Sequence, residues 1–146
     1  MNYARIALSA VVAFVVSIPV GFLVNDVLLK GLYDANRTVM RADAAVMANL
    51  PIGFVFLLIG FLAFAYAYAK GYEGGSGAVE GLRFGATVGL VVLGFGIVWQ
   101  YVLYPITISM AIAIMVDSFV ELCLYGAIVG AVYKPVAVAA KRPVTV

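Results

Sequence analysis

Three stretches of this chain run without a single Asp, Glu, Lys or Arg: Ile6 to Asn25, Ala44 to Ala69, and Phe84 to Val116. A helix rises about 1.5 Å per residue, so crossing a hydrocarbon core of about 30 Å takes about 20 apolar residues. The first two runs each suit one crossing. The third is too long for one, and Tyr104-Pro105 divides it, because proline disfavours helical geometry in the residue before it. A fourth span then starts near Thr107 and continues to Tyr133, where Lys134-Pro135 stops it. The pattern predicts an all-α integral membrane protein. Its single domain is an antiparallel bundle of four transmembrane helices, at approximately 6–25, 47–69, 84–104 and 107–133.

Composition agrees and closes off several function classes. Hydrophobic residues make up 66% and charged residues 11% of the 146, with a mean hydropathy of +1.14. Soluble domains are closer to half apolar and a quarter charged. A net charge of +2 offers no broad basic field for nucleic acid. There is no histidine, so the commonest metal ligand and the usual general base near neutral pH are missing. Cys123 is the one cysteine, which excludes an intrachain disulfide and a CxxC motif. No metal site, no cofactor and no enzymatic activity are expected.

Positive charges set the orientation. With the N-terminus inside, the cytoplasmic side holds Arg5, Lys70, Arg83, Lys134, Lys141 and Arg142; the outside holds Lys30, Arg37 and Arg41. Both termini are therefore expected to be cytoplasmic. The first span has a charge before its apolar run, as a signal peptide does, but the run exceeds a usual signal core, so a retained helix is expected. Loop one, about Asp26 to Asp43, is amphipathic through Leu28, Leu29, Leu32, Val39 and Met40, and suits a short helix on the membrane surface. Gly74-Gly75-Ser76-Gly77 in loop two predicts a flexible turn. Asn36-Arg37-Thr38 has the form of a glycosylation sequon.

Lipid tails are as apolar as leucine, so helices associate in a bilayer by close backbone approach and hydrogen bonds. Small residues four apart mark such faces: Ser9, Ala13, Ser17 and Gly21 in the first helix; Gly81, Gly85 and Gly89 in the third, with Gly94 and Gly96 beyond; Gly126 and Gly130 in the fourth; Ala63 and Ala67 in the second. These stripes serve either internal packing or an interface with another copy or another membrane subunit. Pro51 is expected in the first turn of its helix, and Pro19 is expected to bend the first one.

Asp117 and Glu121 are the residues that ask for an explanation. Counted from Thr107, Asp117 lies about 15 Å into the span, near mid-bilayer, and Glu121 is one turn further on the same face. A charge there costs roughly 3 kcal/mol on insertion scales. No Lys or Arg lies in the predicted hydrocarbon core to neutralise the pair. The two acids are expected to point into the protein and to share a proton, bind a cation or hydrogen-bond to polar neighbours. Candidate neighbours are Gln100, Tyr101 and Tyr104 on the paired helix, and Tyr125 one turn on. Trp99, Tyr101 and Tyr104 near one interface, and Tyr66, Tyr68 and Tyr72 near the other, read as aromatic belts.

Gly81-Leu82-Arg83-Phe84-Gly85, Tyr104-Pro105-Ile106, and Gly126 through Tyr133-Lys134-Pro135 give the C-terminal half a resemblance to small bacterial four-helix integral membrane protein families of unknown function. The resemblance implies the fold and a bacterial inner (plasma) membrane, and nothing about chemistry. Two functions are expected in competition. One is a non-catalytic subunit or scaffold of a membrane complex. The other is a proton- or cation-coupled small-solute transporter working through Asp117 and Glu121. In either, the partners are the lipid bilayer and further copies or other membrane subunits, not nucleic acid.

Overall fold

The computed structural model describes residues 1–133. Lys134, Pro135, Lys141 and Arg142 lie outside the described residues. Helix α1 covers Tyr3–Phe22 and continues as a wider π-helical segment, Leu23–Leu28. A short α2, Lys30–Ala35, and a 3₁₀ turn, Arg37–Val39, form loop one. Helix α3 covers Asp43–Gly71. Helix α4, Gly77–Val92, runs through a second π-helical segment, Leu93–Ile97, into α5, Val98–Leu103. Helix α6 covers Ile108–Val132. Four continuous helical stretches, Tyr3–Leu28, Asp43–Gly71, Gly77–Leu103 and Ile108–Val132, are long and apolar enough to cross a membrane. Among the described residues there is no strand.

Several bounds differ from those read in the sequence, for local reasons. The third span begins at Gly77 rather than near 84, because Glu80 and Arg83 sit inside the helix instead of bounding it. Glu80 turns back over the preceding loop, where its carboxylate accepts the backbone N–H of Glu73 at 2.6 Å and of Gly75 at 2.8 Å. Loop two is therefore stapled rather than flexible; Gly74 supplies the one positive φ, +90°, that the turn needs. The second span begins at Asp43, whose charge suits a helix N-terminus. Pro51 consequently lies two turns inside α3, where its missing N–H leaves the Met47 carbonyl without its helical donor. In α1 the backbone irregularity comes after Pro19, over Leu23–Leu28, where the Asn25 amide donates to the Gly21 carbonyl at 2.8 Å.

The α4–α6 pair packs main chain against main chain at one end of the bundle, the glycine end. A Cβ on Gly77 would meet the Gly130 carbonyl, one on Gly81 the Gly126 carbonyl, and one on Gly85 the Leu122 carbonyl. Such proximity brings Cα–H groups against carbonyl oxygens, and hydrogen suffices where any side chain would separate the helices. On α1, Ser9, Ala13 and Ser17 are buried, and both serine hydroxyls fold back onto their own helix, Ser9 to the Ile6 carbonyl at 2.9 Å and Ser17 to Phe14 at 2.7 Å. Gly21 is half-buried. In α3 the buried face is Phe61, Ala65, Tyr68 and Ala69, while Ala63 and Ala67 face outward. Large aromatic rings decide that rotation: Phe61 packs edge-on against Tyr125, and Tyr68 against Tyr133 and Phe84. Tyr68 is thus a core residue, 1% exposed, rather than part of a belt.

The opposite end is open. Every residue from 41 to 57 is exposed, and so is every residue of α5.

Candidate functional site

Helix α6 is 25 residues long, about 37 Å, and Asp117 and Glu121 stand on either side of its midpoint. Both are half-buried. Tyr125 continues the same face one turn toward the glycine end, 5% exposed, with its ring 5.1 Å from that of Phe61 and its hydroxyl within reach of the Glu121 carboxylate. The carboxyl face therefore ends against a closed aromatic core.

The neighbours come from loop one, not from the third span. Asn36, 3% exposed, fastens the loop to the start of α6. Its amide donates to the Leu32 carbonyl at 2.8 Å and to the Thr107 hydroxyl at 3.3 Å, and its oxygen accepts the Thr107 N–H at 3.0 Å. Thr107 caps α6 by accepting the Met110 N–H at 3.3 Å. With the loop held there, the Tyr33 phenol donates to Asn25 Oδ1 at 2.7 Å and lies close enough to Asp117, Glu121 and Asp26 to sense their charges. Burial first, and then those three carboxylates, pushes the phenol's pKa up, so Tyr33 remains a hydrogen-bond donor across the neutral range.

Gln100, Tyr101 and Tyr104 do not join this cluster. They lie on or beside α5 with their side chains outward, Tyr101 at 47% and Tyr104 at 60% exposure. The glycine contact that holds α4 to α6 has run out by then: Gly89 meets the Phe119 ring, and Gly94 and Gly96 meet nothing within 4 Å. Asn25, Tyr33, Asn36 and Thr107 are the members that sequence reasoning missed. The polar Asn25-Asp26 pair ending an apolar run was the available signal; the fold-back of loop one had none. Asn36 is committed to three hydrogen bonds, so the sequon at Asn36-Arg37-Thr38 does not present its acceptor nitrogen.

Among the described residues, no Lys or Arg forms an ion pair with Asp117 or Glu121. The ion pairs lie on the exposed loop: Lys30–Asp34 at 2.9 Å, Arg37–Asp34 at 3.6 Å, and Arg37–Asp43. No group of three or more His, Cys, Asp or Glu side chains among the described residues converges in a way that could hold a metal ion. The arrangement can keep a proton between two carboxyls, accept hydrogen bonds from a partner, or meet a partner's positive charge. The chain matches no protein-family model, no curated protein and no solved structure.

Proposed function

We propose that this chain is a non-catalytic subunit or scaffold of a membrane complex, in a bacterial inner membrane with both termini cytoplasmic. The observation that carries the reading is the closure of the glycine end. There α4 and α6 touch through their backbones from Gly77 to Gly85, and the rings of Phe61, Tyr68, Tyr72 and Tyr133 occupy the remaining space. The polar face of α6 stops at that barrier, which suits a docking or register-setting group better than a conducting path. The absence of histidine, and a lone cysteine, argue against catalysis. The six-to-three distribution of Lys and Arg supports the orientation, and the resemblance of the C-terminal half supports the membrane. The partner is a further copy or another membrane subunit, packed through the exposed half of α3 or through α5.

A specific observation favours a second reading, proton- or cation-coupled transport of a small solute: two carboxyls flank the helix midpoint, faced by Tyr33. One experiment separates the two. The full chain is reconstituted in liposomes carrying an internal pH dye, beside native purification with mass spectrometry of co-purifying proteins. The subunit reading expects no pH-driven flux above empty liposomes, and a stoichiometric partner whose recovery falls with Asp117→Asn plus Glu121→Gln. Wild-type flux abolished by that double variant would overturn it in favour of transport.

A further inference from the structure

At the open end, the end of α1, the π-helical segment, α2 and the first half of α3 enclose a cleft of about 900 Å³. That is at the upper end of the range for sites that hold a whole small molecule, and far larger than a cation or water needs. Its wall along α1 and α3 is apolar, with Ile18, Phe22, Leu50, Phe54 and Leu57; its rim at loop one is charged. The cleft opens sideways, because every α3 residue that borders it is exposed.

The rim charges have a definite pattern. Lys30, Asp34, Arg37 and Asp43 satisfy one another in ion pairs. Two charged lining residues take part in none of the ion pairs among the described residues: Asp26 on the α1 side and Arg41 on the α3 side. One free anion and one free cation over an apolar slot complement a dipolar headgroup on apolar chains. We infer that this cleft binds one phospholipid of the surrounding membrane with a zwitterionic, primary-amine headgroup. The phosphate meets Arg41, the ammonium meets Asp26, and an acyl chain lies along the α1–α3 wall. An anionic glycerol headgroup would give Arg41 the same phosphate but bring no cation to Asp26. A choline headgroup offers Asp26 no N–H donor, and quaternary ammonium sites are built from several aromatic faces, whereas the polar rim has Tyr33 alone. The inference goes beyond the subunit reading and fits with it where the partner packs through α5 and leaves the α3 wall of the cleft to lipid.

The test uses the full chain, delipidated in detergent and titrated by native mass spectrometry with phosphatidylethanolamine, phosphatidylcholine and phosphatidylglycerol. One phosphatidylethanolamine is expected per chain, held about fivefold more tightly than phosphatidylcholine, the factor for one partly exposed charge contact. Asp26→Asn should erase that preference by weakening phosphatidylethanolamine more than phosphatidylcholine, whose quaternary ammonium has only its charge attraction to lose. Arg41→Gln should weaken all three lipids, and Leu57→Trp, which fills the slot, should weaken all three further. Thr38→Gln, on the same loop but outside the cleft, should change nothing. Asp26, Arg41 and Thr38 are exposed, so these variants keep the fold, and helical content by circular dichroism checks it. Equal binding of the three lipids, a preference untouched by Asp26→Asn, or a dimer that excludes lipid from the cleft would each overturn the inference.

Discussion

The two ends of this bundle are built from the same four helices and pack by opposite means. At the glycine end, residues four apart on α4 meet glycines four apart on α6, and the backbones close on each other. At the loop-one end the same two spans carry bulky or unpaired surfaces; Gly94 and Gly96 face open space, and α3 exposes every residue from 41 to 57. Lipid supplies no hydrophobic force to pull helices together. Where side chains prevent close backbone approach, the helices stay apart unless hydrogen bonds join them. Loop one supplies such bonds through Asn36 and Tyr33, a few directed contacts in place of a continuous seam.

The most direct way to break this contrast is to put one methyl group at each kind of glycine. Gly81→Ala drives a Cβ into the Gly126 carbonyl, a backbone atom that cannot swing aside. Overpacking of this kind costs about 3 kcal/mol, toward the upper end of its usual range. Gly60→Ala, in α3, meets nothing within 4 Å and should gain about 0.5–1 kcal/mol from helix propensity. Thermal unfolding in mild detergent, followed by circular dichroism, measures both. Equal stability of the two variants would mean that the α4–α6 seam is not what holds the bundle.

What the sequence made legible follows the same division. The spans announced themselves through uncharged length, and the α4–α6 seam through glycines at helical spacing, because both signals are local and periodic. Of the two roles open to the stripe at Ala63 and Ala67, internal packing falls away, since Phe61 and Tyr68 take the core face of α3 and leave both alanines outward. Asp117 and Glu121 stood out as acids in an apolar run. Their surroundings did not, because Tyr33 comes near enough to sense their charges only through a fold-back fixed by Asn36 and Thr107, 71 residues apart in the chain. No periodicity encodes that pairing. Gln100, Tyr101 and Tyr104 were natural candidates by adjacency of spans, and the divergence of α5 removes them.

The loop-one end can be loosened alone. Asn36→Ala leaves the Thr107 N–H and the Leu32 carbonyl without their partner, a loss of about 1–3 kcal/mol for a buried polar group. The expected result is faster amide exchange over residues 30–39 with little change at the glycine end. Uniform deprotection of both ends would show that they do not unfold as separate units.

A smaller effect is expected at the stapled turn of loop two. The two oxygens of Glu80 accept separate backbone N–H groups, from Glu73 and Gly75. Glu80→Gln keeps one acceptor and removes the charge, which should cost about 1 kcal/mol. Exchange should quicken at 73–75 while Gly81 stays protected. An unchanged turn would place its rigidity instead in Gly74 and in the bond that the Tyr72 phenol donates to the Gly75 carbonyl at 3.4 Å.

The smallest effect sharpens the comparison by pH. The hydrogen bond from Lys30, and then the charges of Lys30 and Arg37, hold the Asp34 carboxyl below the ordinary aspartate range. A lowered carboxyl stabilises the fold above the ordinary value, near pH 4, and that contribution fades as pH falls through the lowered one. The ion pairs are exposed and salt-screened, so the gain in mobility should be slight. A spin label at Thr38→Cys, with Cys123→Ser, should report a narrower line below about pH 4 and none of that change between pH 5 and 8. High salt should blunt the response. The glycine end has no ion pair among its described residues, so a label on the exposed face of α3 at Ala67→Cys, away from the Glu80 carboxylate, should not follow it. A transition centred near neutral pH at Thr38 would instead assign the loop's motion to some group other than Asp34.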